Sequence, residues 1–151
     1  MTDIVDKATR SRMMSGIRCT DTRPELALRR SLHALGFRFR LHSRNVPGKP
    51  DLILPKYRAA ILVHGCFWHR HSGCRYTTTP STRPDFWAAK FEANINRDRV
   101  VKDALQQSGY RQATVWECAL RKPDLVAQST ELLSTWLTSD SQQIEIGVGD
   151  L

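Results

Sequence analysis

Asp51-Leu-Ile-Leu-Pro-Lys-Tyr-Arg-Ala-Ala-Ile-Leu-Val-His-Gly-Cys-Phe-Trp-His-Arg-His-Ser-Gly-Cys74 is the stretch whose reading decides this fold. Its first half holds two short apolar runs, Asp51–Leu54 and Ala59–Val63, separated by the turn Pro55-Lys-Tyr-Arg58. Apolar runs of that length around a turn predict a β-hairpin. The hairpin sets Asp51 and His64 side by side at its open end, although twelve residues lie between them. The second half, His64–Cys74, carries three of the five histidines and two of the four cysteines, with Phe67 and Trp68 adjacent. Such a loop is too polar to be held by apolar burial.

On the N-terminal side, Thr22-Arg-Pro-Glu25 reads as a helix start, with Thr22 as N-cap and Glu25 completing a capping box. Leu28, Leu32 and Leu35 follow at helical spacing and Gly36 supplies the stop. Phe37–Leu41 alternates apolar and basic residues and predicts a half-buried strand. On the C-terminal side, a long helix is expected from about Pro84 to Ser108, a strand over Arg111–Glu117 and an amphipathic helix over Pro123–Leu137. Residues 139–151 are acidic and polar and are expected to be a disordered tail. The order implies one α/β domain, residues 21–138, with a central mixed β-sheet flanked by helices.

The 151 residues suffice for one core, and no apolar run approaches the ~20 residues of a membrane span. No apolar signal core opens the chain, so the protein is expected to stay in the compartment where it is made, the cytoplasm. Charge is segregated: residues 1–50 are net +7, residues 51–122 net +6 and residues 123–151 net −5. A basic body suits a polyanion such as DNA. Residues 1–20 read as a basic arm whose Arg10 and Arg12 suit phosphate contacts. Met14 there either wedges into a groove or packs on the domain.

Cys66, His71, Cys74 and the distant Cys118 supply three thiolates and one imidazole, the closed shell that structural zinc prefers. A closed shell has no open position for water, so its role is to brace the loop. Chemistry then falls to the residues left over. Asp51 is a hard oxygen ligand suited to Mg2+ beside phosphates, and His64 and His69 flank Cys66 as base, acid or phosphate ligand. Glu25 either completes its capping box or joins as a second acid, through a water molecule or as orienter of a histidine, or does both. Asp98 is either an outer acid or, the preferred reading, an ordinary surface charge. Phe67 and Trp68 suit insertion between bases, whereas core packing is the better reading for Trp87 taken alone.

Asp-Lys-Ala-Thr-Arg-Ser-Arg at 6–12, Thr-Arg-Pro-Glu at 22–25, Pro-Gly-Lys-Pro-Asp at 47–51, His-Gly-Cys-Phe-Trp-His at 64–69, Phe-Trp at 86–87 and Val-Trp-Glu-Cys-Ala-Leu at 115–120 together resemble the very-short-patch repair endonucleases. The resemblance runs from about residue 6 to 137. It implies a restriction-endonuclease-like fold and Mg2+-dependent nicking of one strand 5′ to the T of a T·G mismatch left by deaminated 5-methylcytosine. It further implies Mg2+ held by Asp51 and by the backbone carbonyl of Val63, with His64, His69 and Glu25 at the phosphoryl-transfer centre. Zinc would sit on Cys66, His71, Cys74 and Cys118. Phe67, Trp68 and Trp87 would insert beside the mismatch while the N-terminal arm grips the other side. Double-stranded DNA with a T·G mismatch is the implied partner, with mismatch-repair proteins such as MutL beside it, and a monomer is expected. Two departures stand out: one extra residue in Ser72-Gly73 before Cys74, and Val63 where some members carry Thr. The competing expectations are a noncatalytic zinc-stabilised DNA-binding module and a nuclease of the same fold with another DNA target.

Overall fold

The computed structural model describes residues 21–151. The expected basic arm, with Arg10, Arg12 and Met14, lies outside the described residues. Three helices and five strands follow in the order α1 (Arg23–Ala34), β1 (Arg40–Leu41), β2 (Leu52–Leu54), β3 (Ala59–His64), α2 (Pro84–Gln107), β4 (Arg111–Trp116), α3 (Pro123–Leu137) and β5 (Gln143–Ile146). Short 3-10 turns occupy Pro55–Tyr57, Glu117–Leu120 and Val148–Asp150. No helix among the described residues is long and apolar enough to cross a membrane.

The strands form one sheet in sequence order, with β1, β2 and β3 antiparallel and β3, β4 and β5 parallel. Strand alternation assigns each face a core. Leu52, Leu54, Ala59, Ile61, Ala113 and Val115 face α1 and α3, where Leu28, Leu32, Leu133 and Trp136 complete the larger cluster. Ile53 and Ala60 face the other way and pack with Leu105 of α2 and Val46. The mixed sheet flanked by helices is therefore as the sequence predicts.

Two elements differ from expectation. The strand predicted over Phe37–Leu41 shrinks to Arg40–Leu41 because its first residues finish the helix. Gly36, at φ +96°, and Phe37 donate their N–H groups to His33 and Leu32, a Schellman cap, and Phe37 turns into the core against Tyr57. The predicted disordered tail is instead the fifth strand. Gln143-Ile-Glu-Ile146 alternates polar and apolar, pairs parallel with Gln112–Val115, and buries Ile146 completely. The domain therefore continues past residue 138. The Arg111 guanidinium locks this return by binding the carbonyls of Trp136, Leu137 and Ser141 while stacking over the Trp136 ring.

Candidate metal and catalytic centres

The hairpin delivers Asp51 and His64 to one end of the sheet, as its turn length requires. Asp51 stands just before β2, and its carboxylate accepts the Val63 N–H at 2.7 Å. Glu25 reaches the same place from the first turn of α1. Its N–H is capped by Thr22 Oγ1, so the helix start is as read from sequence. Its side chain does not close the expected capping box, because it is turned away from the Thr22 N–H toward the residue before the N-cap and the neighbouring elements. Although only 2% exposed, it hydrogen-bonds Asp51, and its Oε2 takes the Asp21 N–H at 3.0 Å, Arg29 Nη2 at 3.2 Å and His42 Nε2 at 3.0 Å. Arg29 also pairs with Asp21.

Two carboxyl groups in contact cannot both ionise freely. Burial, then the hydrogen bond and negative charge of Glu25, push the Asp51 carboxyl up to about 8 against the opposing pull of the Val63 N–H. The pair thus holds a proton that a divalent cation would displace. Oxygen donors at this spot fit a hard cation.

His64 closes β3 opposite Trp116 of β4, and its ring stacks on His69 at 3.9 Å between centroids. Burial, reinforced by the neighbouring His69, lowers the His64 imidazole to about 4, so it is neutral at neutral pH. His69 Nδ1 lies 2.7 Å from Asp98 Oδ2. A carboxylate only accepts, so this contact places the proton on Nδ1 and leaves Nε2 as the reactive nitrogen. Asp98 is therefore not the plain surface charge the sequence favoured: α2 turns it inward onto the loop, beside Asn94, which binds the Trp68 carbonyl. His64, His69 and Asp98 open onto a cavity of ≈ 570 Å³ whose walls include Arg70, Arg99 and Lys102.

The second centre joins the loop to the turn after β4. The ligand atoms of Cys66, His71, Cys74 and Cys118 lie within 4.8 Å of one another. Cys118 Sγ is 3.5 Å from His71 Nδ1. A tetrahedral zinc with ordinary Zn–S and Zn–N bonds sets that edge at roughly 3.6 Å. Donor types and spacing therefore fit zinc, and these three cysteines form no disulfide. Burial pushes the Cys66 thiol up to about 12 and raises Cys118 against the Val148 N–H. Burial also raises Cys74, yet hydrogen bonds from the Tyr76 N–H and the other two thiols outweigh it and bring Cys74 down. The His71 ring stacks on Trp116 at 4.2 Å, and the His71 N–H closes a loop turn onto the Cys66 carbonyl.

Phe67, Trp68, Trp87 and Phe91 interlock edge to face and tilted, with centroids 5.0–6.0 Å apart. Trp87 is 5% exposed, in keeping with its reading as a packing residue, while Phe67 and Trp68 are half-buried and Phe86 is exposed. Arg70 lies over the Phe91 ring at 3.9 Å and binds the Thr78 carbonyl and Thr79 hydroxyl, fixing the outer part of the loop. His42, Phe91 and Arg70 stand in none of the sequence motifs, and Trp116 enters only as part of the run Val115–Leu120. Only Phe91, four residues after Trp87 on one helix face, carried a local signal.

Comparison with known proteins gives a consistent result. The family profile of DNA mismatch endonuclease Vsr matches residues 2–75. The type II nicking enzyme V.XorIIP of Xanthomonas oryzae pv. oryzae is 47% identical over 120 residues, covering 80% of this chain and 88% of that protein. The DNA mismatch endonuclease Vsr of Escherichia coli is 40% identical over 148 residues, covering 97% and 94%. The type II nicking enzyme V.NmeAIP of Neisseria meningitidis is 39% identical over 121 residues, covering 80% and 86%.

Proposed function

This chain belongs to the Vsr family of DNA mismatch endonucleases and is a DNA endonuclease, and we propose that it nicks one strand 5′ to the T of a T·G mismatch arising from deaminated 5-methylcytosine. The observation that carries the proposal is the pair of groupings at the end of β3, Asp51 with Glu25 and His64 with His69 and Asp98, alongside a Cys3His cluster. The proposed fold type is restriction-endonuclease-like, with Zn2+ structural and Mg2+ catalytic.

In this reading Asp51 holds Mg2+ together with the Val63 carbonyl. A strand residue's N–H and C=O face the same edge, and the Val63 N–H already points at Asp51. Bound Mg2+ supplies charge for the scissile phosphate and the leaving oxygen. Glu25, immobilised by Arg29 and His42, orients Asp51 through their shared hydrogen bond. His69 accepts or returns a proton at Nε2, with Asp98 fixing its ring. His64, neutral and stacked on His69, aligns it and offers a nitrogen to water or phosphate. Phe67 and Trp68, backed by Trp87, form the wedge that enters the duplex. Arg10, Arg12 and Met14 of the arm grip the opposite groove. The enzyme acts as a cytoplasmic, nucleoid-associated monomer, since the lesion is asymmetric, and in concert with mismatch-repair proteins such as MutL.

The test is a strand-resolved nicking assay with Mg2+ on T·G, C·G and T·A duplexes in several flanking contexts. Nicking of the T strand in T·G duplexes alone supports the repair reading. Equal nicking of matched duplexes would assign a different DNA target to the same nuclease.

A further inference from the structure

We propose that the C-terminal segment 143–151 is a clasp on the Cys/His centre and sets how slowly that centre gives up its metal. The inference rests on the reading that the four donors hold zinc. It begins with register: β5 pairs with β4 through Val115 and Ile146, so the chain beyond Ile146 must run alongside Trp116–Cys118. That path delivers the Val148 N–H to Cys118 Sγ at 3.3 Å. An N–H donated to a thiolate spreads its charge and favours the ligating form.

Gly147 grips the imidazole ligand. A Cβ at this position would stand 2.7 Å from Cε1 and 2.9 Å from Nε2 of His71. Gly147 has φ −115°, which any residue adopts, so the requirement is for space and not for conformational freedom. Trp116 covers the face of the same ring, and its indole N–H is held by Glu145 of β5 at 2.6 Å. Asp150 then accepts the Gly147 N–H at 2.8 Å and closes the turn that aims the Val148 N–H. Ile146 is fully buried and Leu151 packs on the main core, so the clasp is anchored on both sides of the turn.

Val148→Pro tests this. Val148 is the first residue of the 3-10 turn and its side chain is 41% exposed, while Gly147 at ψ 174° already suits a following proline. The variant removes the N–H and sets the ring Cδ where that hydrogen pointed, against Cys118 Sγ, so it opens the clasp by loss of the donor and by displacement together. Zinc content of the full chain is measured by mass spectrometry, and release to a chromogenic chelator is timed. The wild type should carry one zinc per chain, and V148P should release it about 10–100-fold faster, as expected for a lost outer-shell partner. V148A, which keeps the N–H, should match the wild type. Gly147→Ala, with Co2+ substituted for zinc, should shift the visible ligand-field bands as His71 is displaced. V148P at the wild-type rate, or V148A as fast as V148P, would overturn the clasp alone. A wild type that binds neither Zn2+ nor Co2+ would overturn the four-donor reading and the clasp with it.

Discussion

His69 and Asp98, 29 residues apart in sequence, meet at 2.7 Å between Nδ1 and a carboxylate oxygen. This contact joins the loop, which the Cys/His cluster anchors, to the long helix α2. It turns a histidine on an irregular segment into one with a fixed ring and a defined tautomer.

Asp98→Ala should therefore slow nicking by about 10–100-fold, the usual loss when an orienting partner is removed. DNA binding, measured by anisotropy on the same duplex, should change little. Equal loss of binding and rate would instead make Asp98 a structural support of α2.

The Asp51–Glu25 pair predicts an unusual pH dependence in Mg2+-free protein. The folded-state carboxyl is raised from 3.8 to about 8, so the folded state holds the proton more tightly than the unfolded chain. Its stabilising effect is complete below about pH 3.8 and is lost as pH rises through 8. Asp51→Asn should remove a slope approaching about 1.4 kcal/mol per pH unit between pH 6.5 and 7.5, visible in denaturant midpoints of zinc-loaded protein. Mg2+ affinity should rise over the same interval, because binding displaces the proton.

His64 works with the opposite sign. Its imidazole falls from 6.5 to about 4, so the neutral fold is favoured above pH 6.5 and loses stability as pH falls toward 4. In wild type this opposes the Asp51 effect. In an Asp51→Asn background it should stand out as acid destabilisation that a further His64→Asn change abolishes.

Much of this arrangement is legible in the sequence. The four-residue turn of the hairpin forces Asp51 and His64 together, Thr22 and Glu25 mark the first turn of α1, and the Cys/His spacing is specific enough to collect Cys118 from 44 residues downstream of Cys74. The failures have local causes. Acidic composition and two glycines masked the period-2 pattern of Gln143–Ile146, whose strand state depends on β4 as a neighbour. The direction Asp98 takes is set by how α2 lies against the loop, which its own neighbours Arg97 and Arg99 do not encode. His42 turns onto Glu25 from a left-handed backbone at φ +46°, a conformation no pattern around it announces.

Loss of the Cys/His centre should unfold its loop and weaken the domain. Cys118→Ser should lower the thermal midpoint by roughly 10 °C or more, since a structural zinc shell contributes about 10 kcal/mol in small domains and 1 kcal/mol moves Tm by ~2–4 °C at this size. Chelation of the wild type should reproduce the shift, and added zinc should reverse it only while Cys118 is present.

The central claim is that the carboxylate centre does the chemistry while the Cys/His centre only braces it. Its most direct test is the nicking rate of Asp51→Asn at full zinc occupancy on a T·G duplex. The account predicts one zinc per chain, an intact fold and a rate reduced about 10³-fold or more, as expected when a preorganised charge site is lost. Nicking within a few-fold of wild type, with zinc still bound, would contradict it.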